Sequence, residues 1–566
     1  MLKRLAVTAA GTAASPATAR GRGAAAWLAR ALVCVLVLFA QGCASLPQEA
    51  PRQPSAALAD PASTALGRLV AQSSPDPALS GFHVITSGEE AYGTLITLAD
   101  RATRTLDLQY YIIEADESSR EILRHVRAAA ERGVRVRVLV DDLHSDGEDR
   151  AFLRFAGHHN IEVRMFNPFP AGRFSKLTRM LSSAADIRRI NRRMHNKVFI
   201  ADNALAMTGG RNIGNAYFLR APDTNFVDLD VIAAGPAVLR LSTAFDRYWN
   251  SPLAVSVEAL ATDEELAAST APASGAAAGG GAAAGAFAAG KPGQGLGGEE
   301  GELRRSATQD MTPLSRIDAR ASFLGRQLAG GGKLPLEWAA ASVMVDTPDK
   351  ASPDKAPATD TMVEELGRML SDAHQEIILI SPYFVPGDAG VAWMASLVRQ
   401  GVKVRVLTNS LAATDAPIVH VGYRRYRPAL LRAGVELHEL KSRPGRPQKA
   451  IGDFSSSQAS LHVKAAVADR ANLFVGSMNF DPRSASQNTE TGLIIHSPRL
   501  AQQVAQLFAG AIDDNSYLLR LSDTGAVQWV DGKGEKAAVL DTEPDTTWSK
   551  RLWIDVLAPF TPEELL

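Results

Sequence analysis

Hydrophobic and polar positions along the chain follow two periods, and the periods take turns. Residues 90–104 and 120–132 place apolar side chains at helical spacing, and the second run stops at Gly133, a residue suited to close a helix. Residues 106–112, 134–140 and 161–166 are short β-branched or aromatic runs of strand character. Strand patterns alternating with helix patterns predict α/β units around a mixed or parallel sheet. Val134, Val136 and Val138 share one strand face, which leaves Arg135 and Arg137 on the other, where solvation at a sheet edge is expected.

The pattern then repeats. GVRVRVLVDD (133–142) returns as GVKVRVLTNS (401–410), LQYYII (108–113) as ISPYFV (380–385), and IEVRMF (161–166) as VELHEL (435–440). A self-similar unit of about 200 residues indicates a duplicated domain, not a short-period solenoid. The two copies are predicted over 80–255 and 312–566, joined by a Gly/Ala-rich linker over 256–311 and preceded by an Ala/Pro/Ser/Gln-rich tether over 43–79.

The N-terminus departs from both periods. Residues 1–42 carry Lys3, Arg4, Arg20, Arg22 and Arg30 with no acid, then the apolar run ALVCVLVLFA (31–40). This is the layout of a secretory signal, with too few apolar residues for a membrane-spanning helix. Gly42-Cys43 resembles a bacterial lipobox, so Cys43 is the expected lipidation site; a cleaved soluble signal and an uncleaved anchor are the alternatives. Cys34 and Cys43 are the two cysteines, so nothing beyond Cys43 can form a disulfide or use a thiol. The expected location is the bacterial cell envelope, on a periplasm-facing membrane.

Composition narrows the function classes. The chain has 566 residues, 46% hydrophobic, which is enough for a large core. A formal charge of −1, more acidic once the basic leader is removed, argues against nucleic acid as a partner.

The chemistry lies in two boxes of the form H-x-K-x-x-x-x-D: His195, Lys197 and Asp202, then His462, Lys464 and Asp469. Residues two apart on a strand share a face, so each histidine projects with its lysine. Each box is followed by a Gly-rich turn ending in asparagine, Gly209-Gly210-Arg211-Asn212 and Gly476-Ser477-Met478-Asn479. One such box arises in many strands by chance; two matched boxes in a duplication do not. Lysines and asparagines suit non-bridging phosphate oxygens. One imidazole can attack phosphorus while the other moves the proton of the departing and incoming oxygens. The lysines neutralise charge, so no cofactor and no metal are expected.

These boxes identify the chain as resembling the phospholipase D superfamily. GSMNFDPRSASQNTE (476–490) is similar to that family's G-S-x-N-x-D-x-R-S…N-x-E run. The resemblance implies two duplicated phospholipase D-like α/β domains, each a mixed sheet flanked by helices, with the active site at their interface. It implies that an acid downstream of each box orients the histidine: Glu490 in the second half and Asp228 in the first, with Asp230 in reserve. It implies His195 as nucleophile and His462 as acid/base, with Asn212, Ser477 and Asn479 in the site. Asp202 and Asp469 are expected to be structural. Gly210, where the second half has Ser477, marks the halves as unequal.

The runs at 192–218, 228–236, 381–387 and 407–415 resemble bacterial cardiolipin synthases of the C branch. That implies transfer of a phosphatidyl group, with phosphatidylethanolamine as donor, to phosphatidylglycerol through a phosphohistidine. The alternatives are a hydrolytic phospholipase D and a nuclease-like phosphodiesterase; a partner protein stays unknown. Asp141, Asp142 and His144 read as a strand-ending turn or part of an alcohol-binding loop. Tyr110 and Tyr111 divide between core and pocket. His420 reads as acceptor-pocket lining or helix surface. The stretch 166–181, with Arg173, Lys176 and Arg179, reads as a membrane-contacting or disordered loop.

Overall fold

The computed structural model describes residues 53–145, 149–169, 187–261, 266, 322–352, 362–443 and 458–561. The expected signal, Cys43, most of the Gly/Ala stretch and the basic residues at 173–179 lie outside them. Two large mixed sheets form the frame. In the first, Thr105–Tyr110, Arg135–Asp141 and Ile161–Phe166 run parallel. Val198–Ala201, Leu205–Gly209, Asp230–Ala234 and Ser80–Ile85 continue antiparallel on one side, and Ala254–Ser256 on the other.

The second sheet repeats this order strand for strand. Its parallel centre is Glu376–Ile380, Lys403–Asn409 and Glu436–Leu440. Ala465–Ala468, Asn472–Gly476, Thr491–His496 and Ala341–Val345 continue on one side. Ser516–Leu521 lies on the other, extended by Val527–Asp531 and Ala538–Leu540. Among the described residues no helix is long and apolar enough to cross a membrane.

Strand alternation explains why the halves hold together. Val198 and Ile200 enter one core shared by both sheets, while Phe199 and Ala201 enter the first half's own core. In the second box, Ala465 and Val467 enter the shared core, and Ala466 and Ala468 the second half's own. Ile378, Leu473, Leu493, Val231 and Ala233 complete the shared layer. Each fully buried branched aliphatic contributes about 1.5–3 kcal/mol, so this layer outweighs any single polar contact between the halves.

Three expectations are corrected. Residues 53–79 are not a free tether. Thr64 caps helix Ala65–Ser73, whose Leu66 and Val70 are buried in the first core; Asn203 also binds the Leu58 carbonyl. Nor does the second half begin at 312. Helix Phe323–Gly330 packs on helix Gly88–Arg101, with Leu324 in the first core, and Glu337–Ala339 pairs with Ser80–Ile85. The second sheet starts at Ala341.

Arg137, expected at a solvated edge, is 1% exposed. It is paired with Asp107 and Asp246, and its guanidinium lies over the Phe245 ring of helix Pro236–Trp249. A planar cation stacked on an aromatic face and held by two carboxylates is stable in such a place.

Candidate active site

In each box the histidine lies three residues before the strand, Val198–Ala201 or Ala465–Ala468, and the aspartate directly follows it, and the two ends do different work. Asp202 and Asp469 sit in the left-handed region, at φ 53° and 51°. Asp202 accepts the backbone N–H groups of Thr103, Arg104 and Thr105, and Asp469 those of His374, Gln375 and Glu376. Both acids clamp the box strand to the start of its neighbour, far from the histidines in sequence.

The histidine ends meet across the interface. The backbone before His195 pairs with Thr489, where His195 N–H donates to the Thr489 carbonyl at 2.9 Å. Strand Gln458–Leu461, before His462, runs parallel to Thr224–Val227, and His462 N–H donates to the Val227 carbonyl at 2.7 Å. The expectation that each acid serves the histidine of its own box is corrected: these pairings set each histidine beside the acid of the other half. His195 Nδ1 lies 2.9 Å from Glu490 Oε2, and His462 Nδ1 lies 2.6 Å from Asp228 Oδ2. Both Nε2 atoms are left for a substrate. Asp230 is instead the ion-pair partner of Arg211.

The lysines follow the same plan. Lys197 Nζ donates to the His195 carbonyl at 2.7 Å, and Lys464 Nζ to the His462 carbonyl at 2.6 Å. An ammonium has three hydrogens, so each retains donors for phosphate oxygens. Burial pushes Lys197 down to about 7 and Lys464 to about 8.

The asparagines differ. Asn212 donates to the Tyr217 hydroxyl at 2.9 Å and accepts from Ile112 N–H at 3.2 Å. The Asn479 side-chain oxygen is buried without a protein partner. Ser477 donates to Glu490 Oε2 at 2.5 Å and accepts from Thr491 N–H at 3.0 Å.

The acids also differ in charge. Burial pushes Glu490 up to about 7, with Lys197 and the Ser477 hydrogen bond opposing. Asp228 is buried as deeply, but His462 and Lys464 overcome the desolvation and hold it below the usual carboxylate range. His195 is driven well below the usual imidazole range by burial and then by Lys197, Lys464, His462 and Arg483. Burial and Lys464 lower His462 too, while Asp228 supports its charged form.

The two tyrosines divide between pocket and core, Asp141 takes a positioning role, and Tyr217, Phe226 and Arg483 went unassigned in the sequence. The Tyr111 ring stands edge-on to His195 at 4.9 Å, and its hydroxyl lies 3.0 Å from His144 Nε2; Tyr110 is buried in the core. Tyr217 and Phe226 frame His462 at 5.4 and 5.1 Å. Arg483 reaches across to Asn191 at 2.9 Å, steadying the segment before His195. Asp141 accepts Met194 N–H at 2.8 Å and pairs with Arg193, so the turn it occupies positions the first box.

Asp415 is exposed, accepts from Tyr383 at 2.7 Å, and its charge is felt at His462 and Lys464. Its only sequence signal was its place at the end of LTNSLAATD. His420 is neither pocket lining nor surface: it is buried against Arg427 and Glu543. Among the described residues no group of three or more His, Cys, Asp and Glu is arranged to hold a metal ion.

The family model described as cardiolipin synthase, PLD-like domain, matches residues 95–249 and 366–512, once in each half. The chain belongs to this phospholipase D-like cardiolipin synthase family. It is similar to cardiolipin synthase C of Escherichia coli (strain K12), at 38% identity over 87% of this chain and 97% of that one. It is also similar to cardiolipin synthase B of Salmonella typhimurium, at 24% identity over 76% of this chain and 79% of that one.

Among solved structures, phosphatidylserine synthase of Haemophilus influenzae shares the fold. Its TM-score is 0.51 at 12% identity, covering 88% of this chain and all of that one. The family member described here is thus a phospholipase D-type phosphatidyltransferase, with both boxes of its family present.

Proposed function

We propose that the enzyme makes cardiolipin, taking a phosphatidyl group from phosphatidylethanolamine and giving it to phosphatidylglycerol. The observation that carries this reading is the crossed pairing of His195 with Glu490 and of His462 with Asp228, which leaves two Nε2 atoms for one phosphorus. His195, driven toward its neutral form, has the lone pair a nucleophile needs. Its Nε2 attacks phosphorus, and the bond from phosphorus to the headgroup oxygen breaks. His462, whose charged form Asp228 supports, gives its Nε2 proton to that oxygen.

The proton then returns. A phosphatidylglycerol hydroxyl passes its hydrogen to His462 as its oxygen attacks phosphorus, and the bond from phosphorus to His195 breaks. Lys197, Lys464 and Asn479 face the non-bridging oxygens. Asp415, a carboxylate near the group that protonates the leaving oxygen, supports a donor whose departing headgroup carries an ammonium.

The test uses phosphatidylglycerol vesicles with and without phosphatidylethanolamine, with products read by mass spectrometry. Cardiolipin and free ethanolamine are expected only in the mixture. Phosphatidic acid alone would make the enzyme a hydrolase, and cardiolipin from phosphatidylglycerol alone would remove the ethanolamine lipid as donor. Residues 1–42 and Cys43 are read as an export signal and lipid attachment site. Loss of fatty-acid labelling in Cys43→Ser checks that reading, and unchanged labelling contradicts it.

A further inference from the structure

Large apolar side chains are not scattered evenly over the surface. Of the ten exposed ones among the described residues, four lie on helix Trp548–Leu557: Trp548, Leu552, Trp553 and Val556, each between 52% and 71% exposed. At about 100° per residue they cover an arc of roughly 140°. Ile554 on the opposite face is buried against Leu411 and Val421. A fifth, Ile418, stands in the first turn of the neighbouring helix Pro417–Arg432. A patch of this kind on a soluble surface marks an interaction site.

Its position says with what. Helix Trp548–Leu557 rests on the loop that follows strand Lys403–Asn409. Lys550 Nζ donates to the Leu411 carbonyl at 2.8 Å. Four residues on, the same loop carries Asp415, whose charge reaches His462 and Lys464. Arg424 of the neighbouring helix pairs with Asp555, and Arg425 donates to the Ala558 carbonyl at 2.6 Å, so the two helices are bound as one unit. The helix that carries the apolar face is thus tied, through its opposite side, to the loop whose Asp415 charge reaches the groups that would hold a phosphodiester. In this enzyme that phosphodiester belongs to a lipid held in a bilayer. Tryptophan and leucine on one face of a helix, with arginine and lysine beside it, suit the boundary between headgroups and acyl chains.

We propose that the face formed by Trp548, Leu552, Trp553 and Val556 docks the enzyme onto a phospholipid bilayer. This rests on the phospholipid-transfer reading above, but it is tested without turnover. The full chain is mixed with phosphatidylglycerol/phosphatidylethanolamine vesicles carrying brominated acyl chains, and tryptophan fluorescence is recorded. Quenching is expected, and Trp548→Phe with Trp553→Phe should remove most of it. The signal reports these two rings even if another segment also tethers the chain.

Leu552→Ser with Val556→Ser should lower the ratio of vesicle to dispersed short-chain lipid turnover by about tenfold or more. Quenching unchanged by the tryptophan substitutions would overturn the proposal. So would concentration-dependent self-association that shields both rings. An enzyme that docks but makes no cardiolipin would sink the transfer reading and leave this one standing; turnover on vesicles without quenching would do the reverse.

Discussion

The two halves share eight strands in the same order, yet they solve the placement of the orienting acid differently. In the second half Ser477 follows the glycine, and its hydroxyl donates to Glu490. In the first half the equivalent residue is Gly210, where a Cβ would stand 2.1 Å from Asp228 Oδ1. A shorter acid sits against bare backbone in one half, and a longer acid against a hydroxyl in the other. The electrostatic result is unequal: Asp228 is held ionised by His462 and Lys464, while burial brings Glu490 up to about 7. A symmetric scaffold thus holds its two histidines in unequal electrostatic settings, which supports the proposed division of steps.

Removing either histidine should cost the enzyme most. His195→Asn and His462→Asn should each lower kcat by about 10³-fold or more, measured as cardiolipin formed per enzyme. Equal residual rates near wild type would contradict both roles.

Gly210→Ser is next. Although it makes the halves alike in sequence, it drives a side chain into the Asp228 carboxylate, so a loss of about 10²-fold is expected in kcat. The reverse change, Ser477→Gly, removes one hydrogen bond to a charged acceptor and should cost about 10-fold. If Gly210→Ser is the milder of the two, the steric account fails.

The pH profile sharpens the difference. Below about 7 Glu490 takes up a proton and loses its role as acceptor; above about 7 to 8 Lys197 and Lys464 lose theirs. A narrow bell in kcat/KM is expected, and Glu490→Gln should flatten its acid limb. An unchanged acid limb would assign that limb to another group.

The box acids give the smallest effect, on stability. Asp202→Ala leaves three N–H groups without their acceptor at a fully buried site and should cost about 3 kcal/mol, whereas Asp469→Ala, half-buried, should cost about 1 kcal/mol. Urea midpoints would check the order.

Much of this was legible in the sequence because it is written in local spacing. The strand at Ile161–Phe166 and the helix closed by Gly133, at φ 91°, follow from periodicity and one glycine. The two boxes and both acids were readable as motifs. The crossing of acids between halves was not, because it depends on which strand edge Thr489 and Val227 offer to the other domain.

Arg137 misled for a related reason. Its carboxylate partners, Asp107 on the adjacent strand and Asp246 on a distant helix, leave no mark in the alternation. The helix at Ala65–Ser73 was hidden by the Ala/Pro/Ser-rich run before it, which resembles a tether until Leu66 and Val70 find a core. Asp415 reaches the site from a loop and Tyr217 from the short 3-10 helix Asn215–Phe218, and no period encodes the course of either.

We propose that the unequal acids make His195 the nucleophile and His462 the proton carrier. The most direct measurement is intact-mass and peptide mapping of each histidine variant after brief exposure to donor lipid. His462→Asn is predicted to accumulate a phosphatidyl adduct on His195, because attack survives while release is slowed, and His195→Asn is predicted to carry none. An adduct on His462 in the His195→Asn enzyme, with none in the other, would contradict the claim.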